Sequence, residues 1–149
     1  MRLISLYKLL DAHPYCEALE VLYQILKERP AKANISHKVM PTFQEHVRFV
    51  AGQPFRYWYL IKVDDCYVGA LQAAKDNSIA IAILSGHEKH GYATEALRLF
   101  LDTHEPLPEI PAIRSGHFIA NIAPGNEPSV ALFRGLGCKL VQETYSCGR

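Results

Sequence analysis

Residues 79–101, IAIAILSGHEKHGYATEALRLFL, constrain this chain more than any other stretch. The apolar run Ile79 to Leu84 reads as a short strand, Ser85 to His90 as a polar loop, and Gly91 as the opening of a helix. In that helix Ala93, Ala96, Leu97, Phe100 and Leu101 recur at helical spacing, which predicts one buried face. A strand that feeds a loop and then a helix N-terminus makes an anion site. The first-turn N–H groups have no partner inside the helix, and the helix dipole turns its positive end toward the loop. Gly91 lets backbone approach a bulky ligand closely. These features predict a phosphate or pyrophosphate and leave open which one.

The rest of the chain is read around this unit. Arg2 to Tyr7 alternates weakly and is expected to be a first strand. Pro14 to Glu28 reads as a helix, with Tyr15, Ala18, Leu19, Leu22 and Leu26 on one face and Pro30 as its stop. Thr42 and Glu45 form a T-x-x-E capping box that opens a second helix. Phe55 to Val63 alternates as a strong strand, with Tyr57 and Tyr59 on one side and Trp58 and Leu60 on the other. Asp64-Asp65 turns into the strand Cys66 to Ala74, where Gly69 marks a bulge or a close approach. Asp76-Asn77 turns again into the Ile79 strand. Pro106, Pro108 and Pro111 make Thr103 to Ser115 an irregular connection. His117 to Ile122 and Lys139 to Cys147 are expected as the last two strands, separated by a short helix capped by Asn126. The expected order is β-α-α-β-β-β-α-β-α-β, an α/β fold whose mixed, mostly antiparallel central sheet is flanked by helices.

At 149 residues the chain is expected to form a single domain over 1–149. A net charge of +1 gives no footprint for nucleic acid. The four cysteines are scattered without a C-x-x-C pair, so no metal site is expected. No signal-peptide pattern or membrane-length apolar run is present, which points to a cytoplasmic protein with no membrane partner. Neither common glycine-rich nucleotide pattern occurs.

The segment Glu88-Lys89-His90-Gly91-Tyr92-Ala93-Thr94-Glu95-Ala96-Leu97 resembles the acyl-CoA pyrophosphate loop of the GNAT superfamily of N-acetyltransferases. That loop is usually R/Q-x-x-G-x-G/A and often continues Y-A-T-E-A-L. Residues 121–140, NIAPGNEPSVALFRGLGCKL, are similar to the later motif of the same family, and the element order matches it. Two positions depart from the pattern: Glu88 stands where Arg or Gln is usual, and Lys89 replaces the middle Gly.

The resemblance implies acetyl-CoA as cosubstrate, with no metal, and acetyl transfer to the primary amine of a small acceptor. It implies that the amides of Glu88, Lys89, His90, Gly91, Tyr92 and Ala93 cradle the pyrophosphate. It also implies that Ile81, Ala82 and Ile83 pair with the pantetheine arm, and that Asn126 and Ser129 lie at the cofactor. This geometry requires the sheet to splay between the Ile79 and His117 strands. The Ile79 strand carries no ionisable group, so the base is sought elsewhere. His37 comes first, in the loop where the family builds its acceptor site, followed by His117 and Asn121. The usual acid, a Tyr, matches Phe133, which leaves Tyr57, Tyr59 or Tyr145 as phenols. His37, Tyr57 and Tyr59, with Trp58 and Phe43, are expected to line the acceptor pocket. Residues 35–41 and 57–61 look like a branch of the family that acetylates bacterial amino sugars. The competing readings are a protein N-terminal acetyltransferase and a non-catalytic acyl-CoA sensor. Pairing of the last strand with a second copy would give a homodimer.

Overall fold

The computed structural model describes residues 1–30 and 39–148, so His37 lies outside the described residues. The elements run β1 (Arg2–Ser5), α1 (Leu6–Ala12), α2 (Glu17–Glu28), α3 (Phe43–Ala51), β2 (Tyr57–Val63), β3 (Cys66–Ala73), β4 (Ile79–Ile83), α4 (Tyr92–Thr103) and α5 (Glu127–Gly135). The four strands form one antiparallel sheet in sequence order, β1-β2-β3-β4. Helices flank it, giving a mixed α/β fold.

Strand periodicity divides the core between the two faces of the sheet. Trp58, Leu60 and Ala70 pack with Leu6 of α1, Leu19, Leu22 and Ile25 of α2, and Val50 of α3. Leu71, Ala73 and Ile79 pack on the other face with Leu97 and Phe100 of α4 and Phe133 of α5. The helical face expected after Gly91 is the buried one: Ala96, Leu97 and Phe100 are inaccessible to solvent.

Local signals account for most boundaries. The capping box forms, with Glu45 N–H donating to Thr42 Oγ1 (3.2 Å) and Thr42 N–H to Glu45 Oε2 (2.7 Å). Asn126 caps α5, and a proline sits in its first turn. Gly69 does mark a bulge and a close approach. The β2–β3 register shifts beside it, and a Cβ placed there would lie 2.3 Å from the Ala82 carbonyl oxygen.

The fold differs from the sequence reading at four places. Residues 6–12 form a separate helix, α1, where Leu6, Leu9 and Leu10 repeat at helical spacing directly after a four-residue strand. Helix α2 starts at Glu17 rather than Pro14, and Tyr15 is 94% exposed instead of sharing the apolar face. His117 to Ile122 makes no strand, only a parallel bridge between Ser78 and Ile119. Lys139 to Cys147 makes no strand either, with Leu140, Val141 and Tyr145 each about four-fifths exposed. Both segments have strand-like sequence, but a strand exists only where a neighbour accepts its backbone hydrogen bonds.

Asn77 explains where the 104–119 connection runs. It is fully buried and holds a positive φ of 67° in the turn before β4. Its Nδ2 donates to the carbonyls of Leu107 (2.8 Å) and Ser115 (2.7 Å), and its Oδ1 accepts from Leu107 N–H (2.8 Å). Its own carbonyl accepts from Ile119 N–H at 3.0 Å. One side chain thus clamps a proline-rich loop to the base of the sheet.

Candidate functional site

The site begins where β4 loses its neighbour. Ile79 N–H donates to the Ile119 carbonyl at 2.8 Å, and among the described residues no further ladder bond joins the 117–122 segment to β4. Ala80 and Ala82 face β3 in the ladder, so the period-two alternation aims the amides and carbonyls of Ile81 and Ile83 into the gap. This is the expected splay. It makes Ile81 and Ile83 the residues with backbone groups to offer, while Ala82 is engaged with Ala70 across the β3 ladder.

The gap opens at the end of β4 onto the loop 85–91. Gly86, Lys89 and Gly91 all have positive φ (85°, 63° and 78°), so the backbone reverses direction repeatedly within the loop. Gly91 is the N-cap of α4 and supplies no side-chain cap, which leaves the first-turn N–H groups to a ligand or water. Among the described residues other than its chain neighbours, no atom lies within 4 Å of the position a Gly91 Cβ would take. The rings of His90 and Tyr92 stack at 5.3 Å beside the helix start.

Two carboxylates already touch this backbone. Ser85 N–H donates to Glu28 Oε2 at 2.8 Å, and Gly86 N–H donates to Glu88 Oε2 at 2.8 Å. Glu28 also accepts from Gln24 Nε2 at 2.9 Å. Those two bonds, Gln24 first, hold its carboxyl below the usual carboxylate range. The first contact ties the end of α2 to the start of the loop.

The remaining sequence candidates are spread over β2, α5 and the segments that flank α5. Asn126 caps α5 through a long bond from Ser129 N–H (3.5 Å), which places both residues at one helix start. Asn121 is exposed just beyond the Ile119 bridge. Tyr145 is exposed and donates to Glu143 at 2.9 Å. Phe133 is buried in the core beneath α5. Tyr57 and Tyr59 stack on each other and meet Phe100 and His104 edge-on under α4, whereas Trp58 packs against Phe55 and Phe49 on the opposite face. The three aromatics therefore do not share one wall.

Two histidines carry contacts that no motif signals. His104 Nδ1 lies 3.1 Å from the Phe100 carbonyl, which can only accept, so the ring proton is assigned to Nδ1. Tyr59 then donates to His104 Nε2 at 2.8 Å. Burial raises the Tyr59 phenol above its usual range, and its proton is committed to His104. His46 is buried between α3 and α2, with its ring 5.5 Å from that of Tyr23 and its Nε2 without a partner among the described residues. Burial holds this imidazole below its ordinary value. Beside it, a cavity of about 350 Å³ is lined by Glu20, Tyr23, Gln24, Lys27 and Phe43.

Comparisons with known proteins bear on the family and the fold. The family model described as an acetyltransferase (GNAT) domain matches residues 16–139. A crystal structure of an acetyltransferase from Thermus thermophilus is similar to this chain with a TM-score of 0.68. It is 18% identical, and the match covers 95% of this chain and 88% of that one; the likeness is one of fold. A search of curated proteins returns no match.

Proposed function

Because this chain belongs to the GNAT acetyltransferase family, we propose that it moves an acetyl group from acetyl-CoA to the primary amine of a small acceptor, by direct attack in a ternary complex. The observation that carries the reading is the gap beside β4, which leads onto the uncapped N-terminus of α4. Bound acetyl-CoA supplies the acyl group already activated as a thioester. The chain supplies the rest. Ile81 and Ile83 present amides and carbonyls to an extended arm, as a neighbouring strand would. An amide N–H in the gap, aimed at the thioester oxygen, stabilises charge developing there by ~3 kcal/mol. The loop amides of Glu88 to Ala93 hold the phosphates, and Asn126 and Ser129 lie at the cofactor from the start of α5.

Proton handling falls to residues outside β4, which has no ionisable side chain. His37 is the proposed base, with Asn121 a polar group near the Ile119 bridge. The buried Phe133 has no proton to give, so the thiolate leaves without an acid from that position. Of the candidate phenols Tyr57, Tyr59 and Tyr145, Tyr145 is the one outside the cluster beneath α4. The acceptor proposed first is an amino sugar. The α2–α3 cavity offers a compact ligand the Tyr23–Phe43 wall together with the charged side chains of Glu20 and Lys27.

Calorimetric titration tests this directly. Micromolar binding of acetyl-CoA with no binding of ATP is expected, followed by free-thiol release in an amine screen that starts from amino sugars. Absence of acetyl-CoA binding overturns the reading. A second reading, a non-catalytic acyl-CoA sensor, draws on Phe133, Glu88 and the unionisable β4. It predicts binding without turnover on any amine.

A further inference from the structure

We infer that Glu28, at the end of α2, is a positioning residue for cofactor binding: its carboxylate holds the loop 85–91 where that loop leaves the sheet, so the loop meets acetyl-CoA already in place. The inference rests on the acetyl-CoA reading above and adds to it a residue from outside the loop, the gap and α5.

Glu28 breaks a local rule. It is the last residue of α2, where the helix dipole disfavours a carboxylate and favours a cation. Its contacts supply the reason. Oε1 accepts from Gln24 Nε2 at 2.9 Å, one helical turn back, and Oε2 accepts from Ser85 N–H at 2.8 Å, 57 residues away in sequence. The first bond orients the carboxylate, and the second reaches another element. Ser85 is where the loop begins. Leu84 is still held by the sheet: its N–H donates to the Val68 carbonyl at 2.9 Å, and its side chain packs against the core that α2 shares. Gly86 follows at φ 85°, and glycine fixes the direction of the next residues only weakly. The hydrogen bonds of residues 86–90 run within the loop or back to Leu84: Gly86 N–H to Glu88, His87 N–H to the Leu84 carbonyl, and His90 with the His87 carbonyl. Among the described residues, Glu28 is thus the only side chain of another element that hydrogen-bonds this loop. With the anchor, the loop is ordered before the cofactor arrives. Without it, the ordering cost falls on the binding step, and apparent affinity drops with the fraction of molecules whose loop is in place. Charge acts with the opposite sign, because a carboxylate beside a loop that holds phosphates repels them. An anchor and a bystander charge therefore predict opposite results for the same variant.

The test titrates the full chain with acetyl-CoA and follows hydrogen exchange at single amides in the ligand-free protein. Glu28→Ala removes both the charge and the acceptor. Glu28→Gln removes the charge but keeps a carbonyl oxygen for Ser85 N–H. Neither variant weakens α2 through its dipole, since each takes a carboxylate away from the helix C-terminus. Glu28→Ala is expected to bind acetyl-CoA about three- to tenfold more weakly, the size of one net hydrogen bond. Glu28→Gln is expected to bind as tightly as wild type or more so. Exchange in Glu28→Ala should quicken at Ser85, Gly86 and His87 while the β3–β4 ladder keeps its wild-type rates. Unchanged or tighter binding by Glu28→Ala overturns the inference. So does a Glu28→Gln variant that loses as much as Glu28→Ala, because the acceptor would then not be what acts. Unchanged exchange at residues 85–87 also overturns it, since the loop is then held without Glu28, and equal quickening along the β3–β4 ladder overturns it by showing a general loss of stability. A wild type that binds no acetyl-CoA brings down the acetyl-CoA reading and this inference with it, whereas wild-type binding left unchanged in Glu28→Ala brings down this inference alone.

Discussion

Asn77→Asp is the most informative single change at the base of the sheet. The substitution keeps size and tolerance of a positive φ, so it isolates hydrogen bonding from backbone strain. Asn77 Nδ2 now donates to the Leu107 and Ser115 carbonyls at 2.8 and 2.7 Å. Aspartate replaces that double donor with an acceptor facing both oxygens in a fully buried site. Each lost bond that orphans a buried acceptor costs about 1–3 kcal/mol, so the pair costs roughly 2–6 kcal/mol. In a domain of this size, that lowers Tm by roughly 5–20 °C. The Leu107 N–H bond to Oδ1 survives, which is why the loss stops short of the whole clamp. Acid moderates it. Burial beside two carbonyls raises the carboxyl's folded pKa, and once protonated it can donate to one of them. The deficit relative to wild type therefore shrinks from pH 7 toward pH 4. Circular-dichroism melts at both pH values read the effect, and CoA titration shows whether the gap held by Asn77 and Ile119 loosens with it. A Tm within about 2 °C of wild type at pH 7 would refute the clamp.

Gly69→Ala places a methyl 2.3 Å from the Ala82 carbonyl oxygen, a backbone atom that yields only if β4 moves. We expect a loss of at least about 2 kcal/mol in denaturant titration and weaker CoA binding; wild-type stability would contradict the close approach. Gly91→Val puts a Cβ where no non-neighbouring described atom lies within 4 Å, and the left-handed backbone costs it at least about 1–2 kcal/mol. It should remain folded by circular dichroism yet bind acetyl-CoA at least about tenfold more weakly, because the side chain enters the loop mouth; unchanged affinity removes the loop from the site. His46→Leu tests the buried imidazole. Its folded pKa lies below the unfolded value of about 6.5, so its stability contribution is full above that pH and is lost as pH falls below it. Wild type should lose stability relative to the leucine variant between pH 7 and pH 5, and parallel stability profiles would show that burial does not perturb the ring.

Much of this molecule is legible one residue at a time. The alternation of Tyr57 to Val63, the capping box at Thr42 and Glu45, the Asn126 cap and the Gly69 approach are local events, set by sterics and by bonds a few residues long. The same holds for the strand, loop and helix around Gly91, where chain order itself delivers uncapped amides to the end of a strand. The splay was legible only as a requirement of the family resemblance. Other features depend on partners distant in sequence. No pattern shows that Asn77 reaches residues 30 and 38 positions away, that Tyr59 meets His104, or that His46 is buried. Residues 117–122 and 139–147 carry strand-like sequence, yet they form no strands: among the described residues the first meets the sheet only at Ile119, and the second forms no bridge. Sequence alone determined the periodic elements and the anion-ready loop, since those follow from the chemistry of neighbouring residues. Tertiary structure alone decided which backbone groups stay unpaired in the β4 gap and which carboxylates fill the loop's amides, since both depend on what folding brings alongside.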